Sequence, residues 1–287
     1  MFRIFNFIMK MRQKSKIFSI ITYKILHLIP FRGYFHILKK RVYKQEALLY
    51  YTKNAERVNA IANMLADEYS KESYLGMIKF RQTYDKKKYP ITSDEYQYFI
   101  KEFKFNKNEV FLDCGAFIGD TIDIFLKHCP YYDRIVAFEP DSKNFEKLKI
   151  KHSDNQKITL INAGAYNKNG EVSFLEHGNG DSAIIETLGI KSNYAKNIQV
   201  KSIDSLNLKN VSFIKMDIEG AELNALKGAE KTIIKNKPKL AICIYHSDED
   251  MIRIAEYIHE LVPEYKLYVR HYSFYPITNE IVLYALP

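Results

Sequence analysis

The sequence predicts a doubly wound α/β sheet preceded by a helical extension, and three observations predict it. From Glu109 onward short apolar runs alternate with amphipathic ones, the rhythm of a parallel sheet covered on both faces by crossover helices. Acidic residues recur where those runs end, at Asp113, Glu139 and Asp217, along the edge where open α/β sheets bind ligands. The last two apolar runs, 266–270 and 281–286, have only 273–279 between them and no helix, so they close one sheet edge as an antiparallel pair. The chain divides into a basic helical extension, residues 1–108, and an α/β unit, residues 109–287.

Taken in order, residues 1–44 carry eleven Lys/Arg and no Asp or Glu, so the whole-chain charge of +9 leaves −2 for the remainder. The basic excess belongs to an arm and does not spread over the body, which disfavours a nucleic-acid partner. Residues 17–31 are apolar but broken by Lys24 and His27; the run is too short for a membrane span and lacks a signal-peptidase pattern. Phe18, Ile21, Ile25 and Leu28 share one helical face. Such a face either lies on an anionic membrane surface or packs on the body. The first case places the protein in the cytoplasm, peripheral on the inner face of the membrane.

Residues 45–84 have helical spacing at Leu48, Leu49, Val58, Ile61, Met64 and Leu65, and the run 86–90 breaks it. Thr92 then caps a further helix, with Glu95 bonding back to it. In the α/β unit, strands are expected at 110–113, 134–138, 158–162, 211–217 and 240–245. Helices are expected at 119–128, 142–151, 221–235 and 249–260. A hairpin at 171–177, turned at 167–170, precedes a run at 198–206. Cys114, Cys129 and Cys243 form no close pair, which excludes a disulfide framework and suits a reducing compartment.

The candidate site follows the strand ends. Asp113, Gly115, Ala116, Gly119, Asp120 and Thr121 span the first turn from strand to helix. Gly115 and Ala116 admit a ligand close to the backbone, and Gly119 permits tight helix entry. A dinucleotide pyrophosphate requires N–H groups and no fixed negative charge there. Asp113 suits instead S-adenosyl-L-methionine, whose ammonium and sulfonium are cationic. Glu139, before Pro140, stands 24 residues beyond Gly115, where a carboxylate reaches ribose hydroxyls. Asn162 and Ala163 leave room for an adenine ring. The glycine-rich loop 178–182 lacks a phosphate-loop lysine and is either a cover over the site or a plain loop.

Strand four leaves through Lys215, Asp217, Glu219 and Glu222, and Tyr245-His246 ends strand five. Glu219 and Glu222 have a sufficient structural role at a helix start. Asp217, at the strand end, is assigned both to the cofactor and to catalysis. Asp217, Glu219 and His246 are expected around the acceptor, where a carboxylate or imidazole takes its proton. The weaker alternative is that the same three hold a divalent metal.

These motifs, FLDCGAFIGDT at 111–121, AFEP at 137–140, FIKMDIEGAELNALKG at 213–228 and YH at 245–246, resemble the FkbM family of methyltransferases. The resemblance runs from about residue 109 to 286. It implies the class I methyltransferase fold, which is Rossmann-like, and O-methylation of hydroxyls on sugars, polyketides or related metabolites; the acceptor expected here is a small molecule or a glycan, free or lipid-linked. An amino acceptor is disfavoured, because the Asn/Asp-Pro-Pro-Tyr pattern of amino-directed enzymes is replaced by Asp217-Ile218-Glu219-Gly220. The alternatives left open are an RNA methyltransferase, which the −2 body counts against, and a cofactor-binding protein without turnover.

If the arm docks on a membrane, each basic residue near an anionic surface contributes about 1 kcal/mol, and salt screens it. Cosedimentation with phosphatidylserine vesicles should then fall with added salt and with deletion of residues 1–44. Equal binding by the deletion variant would make the arm a packing element.

Overall fold

The computed structural model describes residues 32–175, 183–184, 195–274 and 277–287. The amphipathic helix expected at 18–28 and the loop at 178–182 lie outside them.

Three helices lead in: α1, Arg32–Lys53; α2, Ala55–Met64; and α3, Glu68–Thr83. Asp67 starts α3 by accepting the Ser70 amide through its side chain. The α/β unit then alternates β1, Val110–Cys114; α4, Asp120–His128; β2, Arg134–Phe138; α5, Ser142–His152; and β3, Ile158–Ile161. A small second sheet contains β4, Gly164–Ala165; β5, Gly170–Leu175; β6, Ala183–Ile184; and β7, Ala195–Lys201. Strand β8, Phe213–Met216, leads to α6, Glu222–Lys227, and α7, Glu230–Asn236. The chain closes with β9, Lys239–Cys243; α8, Asp250–Leu261; β10, Lys266–His271; and β11, Ile281–Leu286.

The main sheet has the order β10-β11-β9-β8-β1-β2-β3. Strands β3, β2, β1, β8 and β9 run parallel, while β11 is antiparallel to both β9 and β10. The last strand is therefore inserted inside its predecessor. Both faces of the sheet are buried, as the wholly buried β1 and β9 require. One apolar cluster joins Tyr51, Ile61, Tyr74, Met77 and Phe80 of the leading helices to Leu112, Ile214, Ile242 and Leu283 of the sheet. The opposite face gathers Phe103, Phe111, Phe125, Ile135 and Phe213.

Three sequence expectations need correction. No helix starts at Thr92: its hydroxyl donates to the Ser273 carbonyl at 2.8 Å. Glu95 accepts from Arg270 and from the Lys101 amide instead of bonding back to Thr92. Buried Arg270 also pairs with Asp67 and Glu102, and this outweighs a cap worth about 1 kcal/mol. The single helix expected at 221–235 is two, because the chain turns at Gly228 and Ala229, where Gly228 packs so close to the Tyr166 carbonyl that a Cβ there would lie 2.0 Å from it. The run at 198–206 is strand only to Lys201 and then a 3₁₀ turn at Asp204–Leu206. Among the described residues, no helix is long and apolar enough to cross a membrane.

Arg81 of α3 ties the leading helices to the sheet's carboxyl edge. Its buried guanidinium donates to the carbonyls of Tyr245 and Thr278 and pairs with Asp248 at 2.9 Å. Tyr51 donates to the same Asp248 oxygen. Arg81→Leu should lower the unfolding free energy by roughly 3 kcal/mol, the cost of breaking a buried pair, measured by urea denaturation. A loss below about 1 kcal/mol would show that the guanidinium is dispensable.

Candidate active site

The carboxyl ends of β1, β2, β3 and β8 meet at one edge. Gly115 leaves β1 at φ +83, and a Cβ there would lie 2.0 Å from the Asp217 carbonyl. Only glycine lets the loops after β1 and β8 touch. Gly119 has φ +87, and a Cβ would meet the His152 ring at 2.4 Å. Between them Ala116 is buried, while Phe117 is held at φ 50 with its ring half-exposed. Asp120 is exposed in the first turn of α4, and Thr121 is buried.

Asp113 lies beneath this loop rather than at its mouth. Its side chain is wholly buried and pairs with Lys215 at 3.1 Å. Register makes the pair, since Asp113 and Lys215 are direct neighbours on adjoining strands. Lys215 also donates to the Gly115 carbonyl at 2.7 Å and faces the Tyr98 ring at 5.1 Å. Burial works against the ammonium charge, but Asp113 and Asp217 overcome it and hold Lys215 above the ordinary lysine value. Burial pushes the Asp113 carboxyl up, against the pull of Lys215.

Glu139 is buried and accepts from the amides of Phe117 and Asp141, each at 2.8 Å. Burial pushes its carboxyl up to about 7, although those two amides pull the other way. Asn162, exposed, donates to the carbonyls of Glu139 and Pro140. Its Oδ1 is the acceptor it can offer an adenine amino group. Ala163 behind it is buried.

Asp217, Glu219 and His246 do come together. Nε2 of His246 stands 3.6 Å from Asp217 and 3.5 Å from Glu219. Burial opposes charge on His246, but Glu222 first, then Glu219 and Asp217, raise it well above the ordinary histidine value. Burial would raise Asp217 too; Lys215, His246 and a Tyr98 hydrogen bond prevail and hold its carboxyl below the usual range. Glu219 and Gly220 are consecutive positive-φ residues, and their turn aims Glu222 back at the site. Glu222 is fully buried, accepts the Ile218 amide at 2.8 Å and stands 3.2 Å from His246 Nδ1.

Glu222 and Tyr98 join this cluster without any site role in the sequence reading, and Tyr245 enters that reading only as the neighbour of His246. Glu222 was assigned only to a helix start, and its burial reverses that weight. Tyr98, from the segment before β1, donates to Asp217 Oδ2 at 2.8 Å, and Tyr245 donates to Oδ1 at 3.1 Å. Tyr98 has φ 72, uncommon for a bulky residue. No local pattern announces it, because its partner is 119 residues away. Two shallow surface cavities, of about 550 and 160 Å³, lie elsewhere, along α2 and α8 and beside α3. Converging chemistry, not cavity size, marks this site.

The family model described as the methyltransferase FkbM domain matches residues 113–272. Among solved structures, the chain is similar to a methyltransferase FkbM from Methylobacillus flagellatus KT, at 29% identity and a TM-score of 0.70. That match covers 83% of this chain and 60% of the other, so this chain spans less than two thirds of that protein. An rRNA methylase from Streptococcus thermophilus matches at 14% identity and TM-score 0.41, over 63% of this chain and 87% of that one. Aeropyrum pernix fibrillarin, solved with natively bound S-adenosyl-L-methionine, matches at 11% identity and TM-score 0.35, over 63% and 67%. No curated protein matches the chain.

Removing one partner of the central ion pair should cost more than removing both. Lys215→Met leaves a buried carboxylate alone and should destabilise by roughly 3–5 kcal/mol, whereas Asp113→Leu combined with Lys215→Met should recover most of that. Chemical denaturation of both variants provides the comparison; equal losses would mean that the pair's charges are not what the fold depends on.

Proposed function

Because the chain belongs to the FkbM family of methyltransferases, we propose that it transfers the methyl group of S-adenosyl-L-methionine to a hydroxyl of a sugar, glycan or related metabolite. Its sheet has the mostly parallel class I methyltransferase form. The observation that carries the proposal is the convergence of the Gly115 loop, Glu139, Asn162 and Asp217 beside His246 at one sheet edge.

The glycine approach at Gly115 leaves the backbone open to the methionine part of the cofactor. Glu139 offers carboxylate lone pairs to the ribose hydroxyls, and Asn162 Oδ1 offers one to the adenine amino group. Asp113 acts through Lys215, fixing the loop from below. Methyl transfer is an in-line displacement, so most of the acceleration comes from alignment of oxygen, methyl and sulfur. The sulfonium already makes the methyl group electrophilic. The acceptor hydroxyl still needs a destination for its proton, and the exposed Glu219 carboxylate, grouped with Asp217 and His246, supplies one. A surplus of carboxylates here also favours a cationic cofactor. Docking of the arm on the inner membrane surface would bring the site to lipid-linked glycans.

Only ionised Glu139 can accept both ribose hydroxyls while keeping its amide partners. With its carboxyl near 7, S-adenosylhomocysteine affinity should rise about tenfold from pH 6 to pH 8, and Glu139→Gln should flatten the profile. Calorimetry reads both, with NAD as the competing ligand; preference for NAD would overturn the cofactor assignment. In the same preparation, methyl-labelled cofactor with panels of methyl glycosides and lipid-linked glycans should give labelled product. Asp217→Asn and His246→Ala should still bind S-adenosylhomocysteine but lose about 10²–10⁴ in turnover.

A further inference from the structure

We propose that Asp217, Glu222 and His246 form a divalent-cation site at the carboxyl edge of the sheet. Their ligand atoms all lie within 4.8 Å of one another, the one such group among the described residues. Each comes from a different local element. Asp217 follows β8, Glu222 opens α6 and His246 follows β9, so the cluster is fixed by the sheet and not by one flexible loop.

Proximity of acids is not by itself a site; the unpartnered atoms are what point to a ligand. Glu222 Oε2 and both ring nitrogens of His246 are buried without a hydrogen-bond partner. The Glu222 side chain is wholly inaccessible. Its structural role, accepting the Ile218 amide, occupies Oε1 alone. His246 stands 3.2–3.6 Å from three carboxylates yet forms a well-directed hydrogen bond with none. Buried polar atoms are paired in the great majority of cases, and an ion is one standing explanation for those that are not.

Charge points the same way. Asp217, Glu219 and Glu222 surround one imidazole. Lys215, whose charge acts on Asp217, is committed to Asp113 and the Gly115 carbonyl. A dication offsets the burial of several carboxylates where a single proton on the ring cannot. The phenols of Tyr98 and Tyr245 each hold one oxygen of Asp217, the outer-shell support that orients a ligating carboxylate. Two carboxylates and one imidazole suit a first-row dication such as Mn²⁺ or Zn²⁺, with coordination positions left open.

The ion's role rests on the methyl-transfer reading, although its binding does not. An open position takes the acceptor oxygen and lowers its hydroxyl pKa. The proton leaves to the exposed Glu219 carboxylate and then to water. The oxygen's electron pair forms the bond to the methyl carbon as the C–S pair returns to sulfur, giving the methyl ether and neutral S-adenosylhomocysteine.

The test uses the full chain stripped with a chelator, titrated with Mn²⁺, Zn²⁺ or Mg²⁺ by calorimetry and followed for Mn²⁺ by paramagnetic resonance, with and without S-adenosylhomocysteine. One equivalent of Mn²⁺ or Zn²⁺ should bind. His246→Gln and Glu222→Gln should each weaken it by at least tenfold, and Tyr98→Phe, which keeps the ring, by 10–100-fold. Should Glu222→Gln fail to fold, His246→Gln and Tyr98→Phe decide the matter. Absence of stoichiometric binding by the wild type, or binding unchanged in His246→Gln, overturns the site. If S-adenosylhomocysteine binds while no metal does, the transfer reading stands and the cation fails; the converse result separates them in the other direction.

Discussion

The buried pair of Lys215 and Asp113 is the interaction on which the rest of this structure depends. It lies in a row across the sheet, Ala137, Asp113, Lys215, Ala241 and Tyr284, all register neighbours on successive strands. Two alanines flank the charges and leave room for the lysine to turn toward the strand ends. From there it reaches the Gly115 carbonyl and faces Tyr98. One ammonium thus fixes the loop after β1, joins β1 to β8 and receives a residue from outside the α/β unit. Such a pair is not a cheap source of stability, since desolvation offsets most of its attraction. What it contributes is placement: the Gly115 loop and Asp217 are held within contact distance.

The segment before β1 is part of the site and not only a covering. Arg81 holds the chain on either side of His246, by the Tyr245 carbonyl and by the Asp248 carboxylate. Arg270 draws Asp67, Glu95 and Glu102 onto β10. Between these anchors the chain carries Tyr98 into the sheet edge in a left-handed conformation. Strain of that kind costs about 1–3 kcal/mol and persists only where surroundings enforce it. Here the Tyr284 hydroxyl takes the Tyr98 amide while Asp217 takes its phenol. The family model begins at residue 113, so these contributions fall before the matched segment.

At the site, two kinds of acid have been separated by their surroundings. Glu139 is satisfied by two amides and sits where burial brings its carboxyl near neutrality, a group able to respond to a ligand. Glu222 is satisfied on one oxygen, and its other oxygen is closed off from water without a hydrogen-bond partner. In sequence Glu139 reads as a ribose-binding carboxylate and Glu222 only as one at a helix start. The physical difference between them is the direction each faces.

Much of the architecture was determined by sequence alone. Apolar runs of strand length separated by amphipathic runs admit few layered solutions, and strand direction carries Gly115, Glu139, Asn162 and Asp217 to one edge of the sheet. Local patterning also placed Asp217 and His246 on the same edge, since adjoining parallel strands end together. Tertiary structure alone decided the rest. That Asp113 faces Lys215 depends on register between residues 102 positions apart in the chain. The insertion of β11 between β9 and β10 depends on which edge offered unpaired backbone. Thr92 and Glu95 carry a valid helix-start pattern, overridden by Arg270, whose charge needs partners once it is buried. Tyr98 and Glu222 acquire their roles from a fold that brings distant segments within hydrogen-bond range. Periodicity encodes which face of an element is buried; it does not encode which partner waits there.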